Sequence, residues 1–451
     1  MGTKVFVEMR KQLGLAGPLI ASSILECSLQ TISVIFVGHL GELSLSSSAM
    51  ATAFAWVTGF SVMLGMAGGL DTLCGQAYGA GKYSMLSIHM QKAMVVLVVV
   101  CIPIAILWAF SGQILLGLGQ DTEISVAAES YARMMIPSLF AFGLVQSHFR
   151  FLAAQNLVLP ILLSAGSTSL LHLLLCWLLV YKTSLGNKGA ALAISISHWF
   201  NLLLVLAYVR LSPACKETWI GFSKEGLHVH GVLEFIKLAI PSALMTCLET
   251  WSFDVLIILS GLLPDPKLET SVMTVSLNIS SLTFMICYGF GTAISTRVSN
   301  ELGANHPKDA RLAVRVMLSL AAVEGLVVGL VLFSARNICG EAFSNEREIV
   351  ESIAKMVPLL AFSHIMDGIR CVLSGAIRGC GKQKIGAIVN FVAYYFVGIP
   401  TSSLLALVFH FRWKGLWAGL MCAFLVQDLT YGIIILRTNW EKEALKASGT
   451  V

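Results

Sequence analysis

Carboxylates set inside long apolar runs are the residues of this chain whose type and position invite chemistry. Glu249 and Asp254 share one run and Asp367 lies in another, while Asn278 offers a neutral polar partner in a third. Glu26 occupies the first apolar run of the chain. An ionisable side chain at the middle of a membrane span costs at least about 2.5 kcal/mol on insertion scales, so each of these groups needs a reason to be there. Burial at low dielectric disfavours the charged form of a carboxyl, which lets such a group load and release protons near neutral pH. The same group can be the counter-charge of an organic cation. The two uses exclude each other, and that competition is the simplest chemistry for exchanging a proton against a cation.

Spacing limits which groups can cooperate. Glu249 and Asp254 are five residues apart, about 140° around a helix, so they face one pocket only if the helix bends. Pro241 provides a place for a bend, as Pro18 does in the first run. Glu249 with Asp367 from a facing span is the better pair. Structural roles compete with these. Asp367 has Arg370 one turn on and can close an intrahelical ion pair. Asp254 can bond Ser or Thr neighbours across helices. Glu26 can satisfy backbone freed by a bend near Pro18. Glu249 has no basic residue within a turn. Trp251 and Tyr288 could wall a flat cation, or simply pack. His148, His172, His198 and His364 read as polar cross-helix contacts before proton relays, and His228 and His230 as solvated linker residues.

No reactive constellation accompanies these groups. There is no G-x-S-x-G, H-E-x-x-H or phosphate-binding loop, so the chain is expected not to be an enzyme and to use no ATP directly. Eleven cysteines lack both C-x-x-C and Cys/His ligand spacing, so they read as small packing residues with no metal site and no disulfide framework. No cofactor is expected. The net charge of +5 is scattered singly through short loops, which argues against nucleic acid as a partner.

The elements that must carry these residues follow from composition. The chain is 56% hydrophobic and only 12% charged, about half the charge a soluble protein needs for its surface. Apolar segments lie near 13–37, 47–70, 88–112, 125–150, 158–181 and 188–211, then near 230–263, 270–297, 311–334, 349–375, 385–409 and 414–437. Each is long enough to cross about 30 Å of hydrocarbon as a helix. The expected fold is an all-α membrane protein with twelve transmembrane helices in two six-helix bundles. The N-terminal lobe is 1–211, a linker 212–229, the C-terminal lobe 230–437 and a tail 438–451. With both termini in the cytoplasm, basic residues divide roughly eighteen inside against seven outside. Met1 to Gln12 shows no signal-peptide pattern.

The two lobes repeat each other. Pro18 and Glu26 match Pro241 and Glu249, each pair eight apart. The segment from Gln76 to Gly81 matches that from Asn300 to Asn305, Pro137 matches Pro358, and Lys188-Gly189 matches Lys414-Gly415. The offset stays between 221 and 226 residues throughout. An even number of spans per repeat gives a pseudo-twofold axis along the membrane normal, the frame of an alternating-access transporter. The repeat breaks at one point that matters: the counterpart of Asp367 is Gln146.

Several stretches resemble the multidrug and toxic compound extrusion (MATE) family, and within it the plant detoxification branch. They are Leu70-Asp-Thr-Leu-Cys-Gly-Gln-Ala-Tyr-Gly-Ala-Gly81, Arg378-Gly-Cys-Gly-Lys-Gln-Lys384 with Gly386-Ala-Ile-Val-Asn390, Val37-Gly-His-Leu-Gly-Glu-Leu43 and Arg297-Val-Ser-Asn-Glu-Leu-Gly-Ala304. The resemblance covers almost the whole chain. It implies a secondary antiporter, acting as a monomer in the lipid bilayer, that exports organic cations, xenobiotics or secondary metabolites in exchange for protons. It places a C-lobe acidic site on Glu249 and Asp367, and puts Asp254 and Asn278 where animal relatives carry glutamates. Sodium coupling, through carboxylate and amide oxygens, is the alternative within transport, and a lipid-type flippase the alternative outside it. The membrane is the plasma or the vacuolar membrane.

Overall fold

The computed structural model describes residues 2–342 and 346–450, and these are helical nearly throughout, with no strand. In chain order the long helices are α1 (Gly2–Gly38), α2 (Glu42–Gly79), α3 (Tyr83–Ala109), α4 (Thr122–Ala154), α5 (Leu159–Tyr181) and α6 (Asn187–Leu211). There follow α7 (Val229–Ser260), α8 (Pro266–Gly303), α9 (Pro307–Ser334), α10 (Arg347–Gly379), α11 (Gln383–Val408) and α12 (Arg412–Arg437), with α13 (Trp440–Thr450) after them. Eleven of the first twelve are long and apolar enough to span a membrane. The other, α4, has 33 residues, and Gln146, His148 and Arg150 make its second half more polar than its neighbours. Leu170, Leu330 and Val331 stand more than half exposed, as residues bathed in lipid would.

Local signals account for the helix ends. The Asp121 carboxylate accepts the backbone N–H groups of Glu123 and Ile124 at 2.9 and 3.1 Å, capping α4. The buried Glu269 accepts the N–H of Trp413 at 2.9 Å in the first turn of α12, where an anion also meets the positive end of the helix dipole. π-helical turns interrupt α2 at Trp56–Phe60 and α11 at Val392–Gly398 and Leu404–Val408.

The chain packs as two compact units, Ala21–Ala243 and Met1–Ile20 with Leu244–Thr450. Their boundaries fall inside α1 and α7, two residues after Pro18 and two after Pro241, whereas the sequence repeat divides at the linker 212–229. Pro inside a helix leaves the carbonyl four residues before it without its N–H partner, so each of these helices loses a ladder bond within two turns of the boundary. In the C-terminal unit, the first part of α1 is anchored by a buried ion pair. Arg297 donates to both carboxylate oxygens of Glu8 at 3.1 and 3.0 Å and to Glu301 at 2.6 Å, and Gln12 donates to the carbonyl of Ala313 at 2.8 Å. The core of this unit gathers Val272, Met356, Leu360, Trp417 and Phe424. Its helices α8 and α10 cross closely because Gly291 and Gly375 face each other, and a Cβ on Gly375 would overlap the Gly291 carbonyl.

Candidate functional site

The α8–α10 crossing sets the buried face of α10 toward α7, α11 and α12, and on that face lies Arg370, 1% exposed. Its guanidinium is shared. One nitrogen, Nη1, donates to Glu249 on α7 and to the Tyr394 hydroxyl on α11 at 2.6 Å, and Nη2 donates to Asp367 at 2.5 Å. The ring of Phe424 lies 4.5 Å from the guanidinium carbon and that of Phe284 5.5 Å. Arginine suits the position because its planar fork serves two carboxylates at once and stacks on aromatic faces.

Glu249 and Asp367 therefore meet through a cation. The Asp367–Arg370 ion pair visible in the sequence exists, at i,i+3, yet the same guanidinium also supplies the partner that Glu249 lacks on its own helix. Two carboxyl groups and one guanidinium are thus in direct contact, with the Asp428 carboxyl on α12 close enough to interact with all three. A chain of hydrogen bonds fixes them. Tyr394 donates to Gln427 at 2.8 Å, Gln427 to Asn390 at 2.7 Å, Asn390 to the carbonyl of Met245 at 2.6 Å, and Tyr431 to Asn390 at 2.6 Å. Buried polar chains of this kind are rigid when every member is satisfied.

Glu249 and Arg370 open on a cavity of about 30 Å³ that Tyr288, Thr292, Ser374 and Arg378 also line. That is room for about two water molecules, enough to bring protons to Glu249 and too little for a drug-sized ligand.

The other residues singled out from the sequence lie elsewhere. Asp254 is half-buried on α7, with no hydrogen bond or ion pair among the described residues, and Asn278 is exposed on α8, outside the network. Trp251 is half-buried and does not line the cavity, whereas Tyr288 does. Pro18 and Pro241 lie inside α1 and α7. In the N-terminal unit Gln146 donates to Glu26 at 3.4 Å, so the counterparts of Glu249 and Asp367 also meet, with one carboxylate instead of two. The arginine of this region, Arg150, pairs with Asp71 at 3.3 Å.

Among the histidines, His172 joins Ser33 and Ser197 at 3.0 and 2.9 Å, and His364 joins Glu324 at 3.1 Å. His148 bonds within its own helix to the Leu144 carbonyl, and His198 packs on Phe60 and Phe142. Cys287, Glu324 and His364 bring three donor atoms within 4.8 Å of one another. The imidazole turns Nδ1 to the thiol and Nε2 to the carboxylate, so it ties α8, α9 and α10 together.

Sequence reasoning missed Arg370 as a bridge, and with it Tyr394, Asn390 and Gln427. These are polar side chains in apolar spans and carry no charge to draw notice. It also passed over two carboxylates that its own criterion selects. One is Glu324 on α9; the other is Asp428 on α12, close enough to Arg370 to feel its charge and with a buried Oδ1 that has no hydrogen-bond partner.

Two compact helical units with eleven helices long and apolar enough to cross a membrane mark a multi-pass membrane protein, and the comparisons make it a transporter. The MatE family model matches residues 18–178 and 241–404, one match in each repeat. The chain belongs to the MATE family, whose members act in multidrug and toxin efflux. It is 54% identical to Protein DETOXIFICATION 16 of Arabidopsis thaliana over 444 residues, 98% of this chain and 91% of that one. With Protein DETOXIFICATION 17 of the same plant it shares 53% over 99% of this chain and 94% of the relative. The crystal structure of the eukaryotic MATE transporter AtDTX14 superposes with a TM-score of 0.95 at 45% identity, covering 99% of both chains. A mutant of the Vibrio cholerae MATE transporter VcmN shares the fold, with a TM-score of 0.89 at 17% identity over 98% of this chain and all of that one.

Proposed function

We propose that the protein exports organic cations, or metabolites with a cationic end, in exchange for protons. The observation that carries this reading is the sharing of Arg370 by Glu249 and Asp367. Two carboxylates on one guanidinium hold a single excess negative charge inside a low-dielectric bundle. One bound proton cancels it; so does one cationic group of a substrate. With the proton bound, what remains is a neutral arginine–carboxylate pair that has nothing to offer a cation. Arg370 thus limits the exchange to one positive charge at a time and keeps the empty site from carrying two uncompensated charges, which would be prohibitive in this environment. The cavity supplies Glu249 with water, and Tyr394, anchored through Gln427 and Asn390, holds the guanidinium while its partners change protonation.

Export should follow an imposed proton gradient in proteoliposomes, collapse with a protonophore, and persist when sodium is replaced by potassium. Glu249→Gln mimics the permanently protonated acid and should reduce gradient-driven export at least tenfold while the protein folds normally. Export that tracks sodium and ignores protonophores would assign the cluster to sodium instead. Full activity in a well-folded Glu249→Gln variant would remove Glu249 from the mechanism.

A further inference from the structure

In the N-terminal unit the first turn of α7 meets a buried lysine of α3. Lys92 is 8% exposed, and among the described residues its amine makes no hydrogen bond and no ion pair. The linker is laid along α3 beside it. Gln91 donates to the carbonyl of Gly221 at 2.6 Å and accepts the N–H of Ser223 at 2.9 Å. The chain then turns into α7 against Lys92, where a Cβ on Gly231 would overlap the lysine amine. Two positive groups thus face each other. One is the ammonium; the other is the N-terminal end of α7, whose first N–H groups have no carbonyl one turn back. The acids nearest this turn in sequence, Glu225 and Glu234, are exposed; Glu234 takes His230 at 3.4 Å, and neither pairs with Lys92. A charge taken out of water without a partner is costly, so a counter-charge is called for.

The other repeat shows what belongs in this place. The offset of 223 that relates Pro18 to Pro241 and Glu26 to Glu249 also relates Glu8 to Gly231. In the C-terminal unit Glu8 supplies the carboxylate that a buried cation needs, at Arg297. In the N-terminal unit the cation is Lys92, and the corresponding residue is a glycine with no side chain to offer. We infer that this is an anion site, in which a phosphate group sits between the Lys92 amine and the first N–H groups of α7. Lysine binds phosphate as a point charge, and a helix N-terminus is a ready receptor for it. Glycine at 231 lets the amine lie against the backbone of that turn, so both kinds of donor reach one group. The depth favours a lipid headgroup as its source. Ser84, Ser87, His89, Gln91 and Lys92 make the start of α3 polar, and the seventeen residues that follow, 93–109, hold no charged, amide or hydroxyl side chain. Lys92 therefore stands at the polar border of an apolar run long enough to fill most of a bilayer core. In the orientation expected from the sequence that border is on the cytoplasmic side, where anionic lipids set the surface potential. A free phosphate offers the same chemistry. The site lies in the other unit from Glu249 and does not depend on the exchange reading above.

Thermal unfolding of the purified protein in a neutral detergent tests the site, since an anion that binds only the folded chain raises the melting temperature. In phosphate-free buffer, dioctanoyl phosphatidic acid should raise it by at least about 3 °C, and dioctanoylglycerol, the same chains without the phosphate, should not. Inorganic phosphate at matched ionic strength separates the sources. A rise with phosphatidic acid alone assigns the site to a lipid headgroup, and an equal rise with phosphate assigns it to a soluble anion; either supports the site. Lys92→Met should lose the rise. With no anion present it should be at least as stable as the wild type, because methionine needs no counter-charge. Gly231→Asp, which puts an acid where the other repeat has Glu8, should also lose the rise, and if one variant cannot be purified the other decides. No rise with either compound in the wild type, or the same rise in a variant, would overturn the inference. So would a Lys92→Met protein that melts several degrees below the wild type without anion, which marks a lysine already satisfied within the fold.

Discussion

At the residue scale the structure turns on Arg370. In the sequence it is a basic residue one turn from Asp367, and an i,i+3 pair on a helix is ordinarily worth a few tenths of a kcal/mol. Buried at 1% exposure and shared with Glu249, it carries far more weight, because removing it strands two carboxylates in the bundle interior. Breaking a buried pair by deleting one partner costs about 3–5 kcal/mol. Arg370→Ala should therefore lower thermal stability in detergent by an amount of that order at neutral pH. Adding Glu249→Gln to Arg370→Ala should recover part of the stability at neutral pH. A thermal scan of the three proteins at neutral pH decides it, and an Arg370→Ala protein as stable as wild type would show that the cluster is solvated and loosely held.

Helices α1 and α7 carry the argument at the scale of the element. Each belongs to both compact units, and each passes from one to the other two residues after a proline. The N-terminal part of α1 is fastened by the Glu8–Arg297 pair and the Gln12–Ala313 bond, and α7 brings Glu249 to Arg370 on the far side of Pro241. A proline inside a helix costs about 3 kcal/mol relative to alanine, so prolines kept at both corresponding places have a use other than stability. Pro18→Ala and Pro241→Ala should each raise the melting temperature and slow export severalfold, because a continuous hydrogen-bond ladder makes each helix harder to bend. Stability and initial transport rate measured on the same preparations test this. Unchanged transport in both variants would remove the two prolines from the transport cycle.

The whole molecule is where the repeat and its failure matter. Each repeat brings a glutamate from its first helix to a polar residue on its fourth: Glu26 to Gln146 and Glu249 to Asp367 by way of Arg370. Duplication explains the frame. An amide stands in place of the second carboxylate, and no arginine bridges the two, so the N-terminal unit lacks the shared ion pair of the C-terminal one. Glu26→Gln should leave gradient-driven export within about twofold of wild type, whereas the same change at Glu249 should reduce it at least tenfold. The proposed orientation, with an excess of Lys and Arg on the cytoplasmic side, belongs to this scale too. Short epitope tags at either end should become accessible to antibody only after the cells are permeabilised, and labelling of intact cells would reverse the assignment.

Much of this was legible in the residues alone. Long apolar runs can cross a membrane only as helices, because lipid offers no partner for exposed backbone groups, so the number and place of the spans follow from hydropathy with little else. Duplicated prolines, glycines and lysines in step reveal the two repeats, and Glu249 and Asp367 stand out because a carboxylate in such a run is expensive. Tertiary structure alone decided what those carboxylates face. Which side of α10 turns inward depends on the close crossing at Gly291 and Gly375, and the partner of Glu249 comes from a helix more than a hundred residues away. Tyr394, Asn390 and Gln427 gain their meaning only from that crossing. Periodicity along one helix says which residues share a face; it does not say which face of another helix they meet. In the sequence those carboxylates have no partner beyond Arg370 on the same helix as Asp367; in the folded chain Arg370 sits between them and joins both.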